Sequence, residues 1–202
     1  MARSLPIDSH SALCVALDVR SIALSDKQFD LLCRDNRELR FELSADGELI
    51  IMSPTFSGTG WRESKINQRL ANWAEKDGTG ISFGSSTGFT LPNRAKRSPD
   101  ASWILRNRWE RLTLKQQERE FSPICPDFVV ELRSPTDQLT RLKRKMLEYI
   151  DNGARLGWLL DPIGKRVYIY RTGCEMEALN DPKLLSGETV LTGFQFNFHE
   201  IL

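Results

Sequence analysis

Two acidic residues stand in strand-like, largely apolar runs. Asp100 follows Ser98-Pro99 and opens the run Ala101–Leu105, and Glu131 lies inside Asp127–Arg133, where Phe128-Val129-Val130 is the strongest strand signal in the chain. Side chains alternate across a strand, so Phe128, Val130 and Leu132 share one face, while Asp127, Val129, Glu131 and Arg133 share the other. At ~3.3 Å per residue, Asp127 and Glu131 are roughly 13 Å apart and cannot ligate one ion together. A partner for Glu131 must come from another strand. Asp100 is the natural candidate, because Pro99 lacks a ladder donor and suits a strand start. Two carboxylates on adjacent strands can hold a hard divalent cation such as Mg²⁺, or Mn²⁺ in its place, which takes oxygen ligands and keeps several waters. Such an ion can polarise a phosphodiester and lower the pKa of a bound water. A nearby ammonium can neutralise developing charge or orient the nucleophile.

The elements that must position these residues can be read in outline. Residues 1–20 have no clear period, and 1–24 are expected to form an N-terminal arm. A helix is predicted over 25–36, with Ser25 and Gln28 as a capping box. A hairpin joins Leu39–Leu43 to Glu48–Met52 through Ala45-Asp46-Gly47. A second helix is predicted from about Trp61 to Lys76, with Ile66, Leu70, Trp73 and Ala74 on one face. Short strands are expected at 81–83 and 89–91, a longer one at 100–105, and a polar surface helix at 109–119. The Glu131 strand is followed by a helix over 136–151, stopped at Asn152-Gly153, and by strands at 156–160 and 167–170. In that last helix Leu139, Leu142, Met146, Tyr149 and Ile150 form an apolar stripe. Lys145 flanks the stripe beside Tyr149 and Lys143 flanks its other edge, and spacing does not choose between them. The order of elements predicts an α/β, mixed α+β fold: one mixed sheet flanked by helices, in a single domain spanning 25–202.

Composition sets bounds. With 202 residues and 40% hydrophobic content, one domain with a real core is expected. The net charge is only +1, so no global basic field points to nucleic acid, and any basic surface must be local. Cys14, Cys33, Cys125 and Cys174 stand alone, which argues against a disulfide framework or zinc site and for small buried hydrophobes of a reducing compartment. There is no long apolar run, so no membrane segment is expected, and a cytoplasmic location follows.

Several runs together resemble a known family. They are Gly47-Glu48-Leu49-Ile50-Ile51-Met52-Ser53-Pro54, Ser85-Ser86-Thr87-Gly88-Phe89, Ser98-Pro99-Asp100-Ala101, Pro126 to Pro135, Lys145-Met146-Leu147-Glu148-Tyr149 and Asn152 to Pro162. In this order they resemble the Uma-type family of restriction-endonuclease-like proteins, within the PD-(D/E)XK nuclease superfamily, over roughly residues 38–200. The resemblance implies a restriction-endonuclease-like core and a Mg²⁺-dependent endonuclease acting on DNA. It implies that Asp100 is the aspartate of the PD element and Glu131 the acid of the next strand, together holding the metal. Two residues after Glu131 the superfamily lysine is replaced by Arg133, which stays protonated and binds phosphate but carries protons poorly. The family places its lysine on the following helix, and this matches Lys145. Glu63, on the inward face of its helix, matches an additional acid found on the first core helix of superfamily members.

Each residue also has a plainer reading. Asp100 can be a strand-edge residue, and Glu131 can pair with Arg133 or Lys145 in a buried ion network. Lys145 on a charged helix is by default a solvated side chain. Asp127 can bound its strand, and Trp73 and Trp158 read as core. Arg133, Lys143 and Arg144 are candidates for phosphate contact, although a run such as Arg141 to Lys145 is usually a solvated face. His10 and His199 receive no role. Three functions therefore compete: a Mg²⁺-dependent DNA endonuclease, a nuclease-fold protein with weak or no catalysis that binds DNA or serves assembly, and a purely structural domain. A homodimer is expected on the ground that a two-fold pair of sites matches the two strands of DNA.

Overall fold

A computed structural model describes residues 14–202; most of the expected arm and His10 lie outside them. Contrary to the expected arm, Cys14–Asp18 forms strand β1 and pairs antiparallel with β3, Ala16 facing Ile50. A short 3-10 turn at Arg20–Ile22 leads to helix α1 (Asp26–Asp35), where Ser25 and Gln28 make the expected capping box. The hairpin follows as β2 (Arg40–Leu43) and β3 (Glu48–Met52), with Glu42 opposite Ile50. Gly47 turns the chain with φ 76°, a conformation that costs glycine little.

Helix α2 runs Ser57–Asp77, one turn earlier than expected, because Gly58 and Gly60 are absorbed into the helix rather than breaking it. Then come β4 (Gly80–Gly84), β5 (Phe89–Thr90), β6 (Lys96–Arg97) and β7 (Ala101–Leu105). The single helix expected at 109–119 is two short ones, α3 (Arg106–Trp109) and α4 (Leu114–Glu118). Thr113 divides them: its side chain accepts from the Gln116 N–H, and this capping box starts the helix afresh. Strand β8 (Phe128–Leu132) leads through α5 (Leu139–Asp151) to β9 (Leu156–Asp161) and β10 (Arg166–Arg171). Strands β11 (Glu177–Asn180), β12 (Leu184–Ser186) and β13 (Gln195–Asn197) follow, and then a 3-10 turn at Phe198–Ile201.

The main sheet has the order β11-β10-β9-β8-β7-β4, and it is mixed because β8 and β9 run parallel across the α5 connection. Both of its faces are covered. On one face Phe128, Val130 and Leu132 pack with Ile66, Leu70 and Ala74 of α2 and with Phe194, Phe196 and Phe198. On the other, Val129, Leu159 and Tyr168 pack with Met146 and Tyr149 of α5. Glu131 projects on this second face, so its own surroundings are interior. Trp158 is buried and Trp73 packs against the first core, as expected. Of the cysteines only Cys125 is buried; Cys33 is half-buried, and Cys14 and Cys174 are exposed, so the expectation of four buried thiols is corrected.

A second sheet, β1-β3-β2-β6-β5, carries α1 on its back, where Phe29, Phe41 and Leu49 form a separate core. Its front face turns Cys14, Ala16, Arg40, Glu42, Ile50 and Met52 toward α2, α5 and the end of β8, enclosing a cleft of about 1080 Å³. Among the described residues no helix is long and apolar enough to cross a membrane.

Candidate functional site

Pro99 has no N–H, so the β7–β8 ladder cannot continue beyond Asp100 in the ordinary way. The aspartate completes it with its own groups. Its backbone N–H donates to the Val130 carbonyl, and its Oδ2 accepts from the Leu132 N–H at 2.7 Å. The two bonds straddle Glu131, and Asp100 and Glu131 both line the cleft. Glu63 joins them from α2, whose Asn67 holds the Asp100 carbonyl at 2.8 Å.

Lys145 reaches this cluster from α5. Its Nζ lies 2.7 Å from Glu131 Oε1 and 2.8 Å from Glu42 Oε1. The Tyr149 hydroxyl, one turn on, donates to the same Glu131 oxygen at 3.1 Å. Glu42 also accepts from the Ser98 N–H and pairs with Arg97, and Arg97 pairs in turn with Glu148. A single ammonium thus sits between two buried carboxylates, and a guanidinium supports only one of them.

That asymmetry sets the protonation of the site. Burial alone would raise the Glu42 carboxyl, but Lys145 and Arg97 outweigh it and hold it down at about 2. Glu131 lacks the guanidinium. Burial, with Asp100 and Glu42 adding repulsion against the pull of Lys145, lifts it to about 8. Burial and the nearby Glu63 charge lift Asp100 to about 6, against the pull of Lys145 and the Leu132 N–H. Glu63 is raised as well, first by burial. Burial disfavours the charged Lys145, yet Glu131 and Glu42 more than offset this and keep it an ammonium.

The other expected residues fall elsewhere. Arg133 does not pair with Glu131; its Nη1 lies 2.9 Å from Asp161 Oδ2. Lys143 turns away from the cleft, with its Nζ 3.9 Å from the centre of the Tyr168 ring. Arg144 is exposed on the cleft wall. Asp127 bounds its strand, accepting from the Leu105 N–H and pairing with Arg108. Reasoning from sequence did not find Glu42, Arg97, Glu148 or Arg40. The only signal for two of them is the alternation in β2, which puts Arg40 and Glu42 on the face opposite Phe41 and Leu43.

Among the described residues, no set of three or more His, Cys, Asp or Glu side chains stands close enough to hold a metal alone. The donor set nevertheless suits a hard divalent ion that keeps water ligands. Asp100 and Glu131 are oxygen donors of one cleft, and burial, with repulsion from Glu63 at Asp100 and from Asp100 and Glu42 at Glu131, makes their ionised forms costly until a cation neutralises them. Both must be ionised to ligate, so binding must release protons. Mn²⁺ affinity of the DNA-free protein is expected to rise with pH between about 6 and about 8 and to level off above that, as the two carboxyls lose their protons. Isothermal titration in buffers of different ionisation enthalpy measures both the affinity and the proton release. A flat profile over that window would exclude these two carboxyls as the ligands.

A mixed sheet covered on both faces is a restriction-endonuclease-like core. Residues 26–199 match the family model Uma2, described as "Putative restriction endonuclease", and the chain belongs to this family. The crystal structure of "a putative nuclease belonging to DUF820" from Anabaena variabilis is similar in fold. It aligns with a TM-score of 0.66 at 20% identity, over 80% of this chain and 88% of that one. No protein of curated function matches the chain.

Proposed function

We propose that this protein is a divalent-metal-dependent endonuclease that hydrolyses DNA phosphodiester bonds. The observation that carries the reading is Asp100 tied to β8 on either side of Glu131, by its backbone N–H to Val130 and its carboxylate to Leu132, with Lys145 on Glu131 in the same cleft. Asp100 and Glu131 would hold Mg²⁺, or Mn²⁺ as its substitute, with Glu63 as an additional acid. A divalent ion there supplies charge neutralisation at the phosphate and a more acidic bound water. Lys145, held as an ammonium, orients or neutralises a phosphate oxygen rather than abstracting a proton. Tyr149 fixes the Glu131 oxygen that Lys145 also touches, so α5 and β8 keep one geometry. Arg144, on the cleft wall, is the member of the basic run placed to meet DNA; Arg133 and Lys143 would reach it only by leaving Asp161 and Tyr168.

A second reading is a structural ion network, and the Glu42–Lys145–Glu131 chain is the observation that favours it. Incubation with supercoiled plasmid separates the two. Nicked circles are expected with Mg²⁺ or Mn²⁺ and none with chelator. Protein that neither nicks nor retards the plasmid would hold a structural network, and protein that retards it in a gel but never nicks it under either ion would be a binding or assembly module. We propose that the active species is a homodimer acting on both strands, and light scattering of the same preparation should give twice the chain mass.

A further inference from the structure

The inner cleft holds more acids than bases, and nearly every cation in it is already engaged. Lys145 is shared by Glu42 and Glu131, Arg97 by Glu42 and Glu148, and Arg141 is paired with Glu48. Arg40 is different. It lies on β2 two residues before Glu42, so both side chains leave the strand on the cleft face. Among the described residues it has no carboxylate partner within 4.0 Å, and its Nε is buried with no hydrogen-bond partner. Its charge is nevertheless felt at Glu63 and at Asp100, where it favours the ionised carboxylates. The guanidinium is therefore near the acidic cluster but not spent on it.

We infer that Arg40 binds a phosphate group of the nucleic-acid substrate next to the acidic cluster. A planar guanidinium presents parallel N–H donors that match two phosphate oxygens, and an unfilled buried donor gains most from such a ligand. A substrate phosphate entering an acidic cleft also needs a cation that no protein carboxylate has already neutralised. The assignment rests on the reading of this cleft as a DNA-binding site, and it extends that reading to a residue of the hairpin sheet rather than the main sheet. Arg40 would anchor the phosphate from one wall while the Asp100–Glu131 cluster faces it from the other.

The test is fluorescence anisotropy of a labelled DNA duplex in Ca²⁺ over a salt series, with wild type, Arg40→Gln and Arg40→Lys, beside Mn²⁺ titration without DNA. Arg40→Gln is expected to weaken duplex binding about tenfold and to flatten its salt dependence by about one phosphate contact. Arg40→Lys, which keeps the charge, should restore the salt slope and part of the affinity. Mn²⁺ should bind Arg40→Gln at least as tightly as wild type, because a repelling charge has gone. Unchanged duplex binding with tighter Mn²⁺ binding would overturn the assignment and leave Arg40 as a neutraliser of the carboxylates. A salt slope in Arg40→Lys as flat as in Arg40→Gln, with an unchanged melting temperature, would overturn the phosphate contact, because the charge has been kept. Melting of both variants far below wild type would overturn it in favour of a structural role. If wild type binds the duplex but does not nick plasmid, the endonuclease reading fails while Arg40 is still decided by the binding data.

Discussion

Glu131→Gln is expected to reduce divalent-dependent nicking below detection while leaving the metal-free protein as stable as wild type or more so. The amide keeps the volume of the side chain, and its oxygen can still accept from Lys145 and Tyr149. What it loses is the charge that, on the proposed function, would hold a hard cation. The stability side follows from the raised carboxyl. The native state holds the Glu131 proton up to a pH of about 8, whereas the unfolded chain releases it near the ordinary carboxylate value. The native protein therefore loses stability as pH rises from the unfolded value through about 8, and the full contribution is present only below the unfolded value. At pH 7.5 the glutamine variant escapes most of that penalty, a gain of about 1–3 kcal/mol. Lys145 keeps Glu42 as its counter-charge in the variant, so the ammonium is not left unpaired. Melting curves at pH 5.5 and 7.5 measure this: the variant should gain on wild type at the higher pH and converge with it at the lower. A variant that melts far below wild type at both values, together with wild type that never nicks DNA, would establish a structural network in place of the nuclease.

Lys145→Met is expected to have the opposite signature. Removing the ammonium leaves Glu42 and Glu131 facing each other in the interior, with Arg97 still serving Glu42. Breaking a buried pair by deleting one partner costs about 3–5 kcal/mol. Here the cost should be smaller below about pH 8, where Glu131 holds a proton and is neutral. Nicking should fall by about 10²-fold or more, as expected when a group acting at the phosphate is lost. Mn²⁺ binding should not fall with it, and should strengthen, since the ammonium that competes for Glu131 is gone. Glu131→Gln thus trades metal for stability and Lys145→Met trades stability for metal. Parallel titration and melting of the two variants reads that crossing directly. Loss of Mn²⁺ binding in both would mean that Lys145 shapes the metal ligands instead of acting on the substrate.

The acidic half of this arrangement was legible in the sequence for a physical reason. Strands carry a period of two, so an acid alternating with Val and Leu beside a Pro-Asp strand start is conspicuous, and the family resemblance aligned the two. The helix period was less decisive. Lys143 and Lys145 flank the same apolar stripe, and only the packed helix reveals that one leans over Tyr168 and the other meets Glu131. The opposite wall was not legible. The alternation in β2 announces a polar face but does not say what covers it. The sheet that carries Glu42 is completed by β1 joining β3 and β6 joining β2, through pairings between residues far apart in sequence. β1 itself was hidden because its run shows neither strict alternation nor a turn signal. The Thr113 cap shows the reverse case, in which a local signal within an even helical pattern decides the outcome alone.

The Asp100 bond to the Leu132 amide also gives the molecule its own indicator. That N–H hangs from a carboxylate whose charge changes at about pH 6 and would change again as a cation arrives. Its proton resonance therefore follows the electrical state of the site from within the backbone, at a residue that no substitution need touch. In a spectrum recorded without substrate, Leu132 would distinguish a protonated, an ionised and a cation-loaded Asp100 as three positions of a single peak.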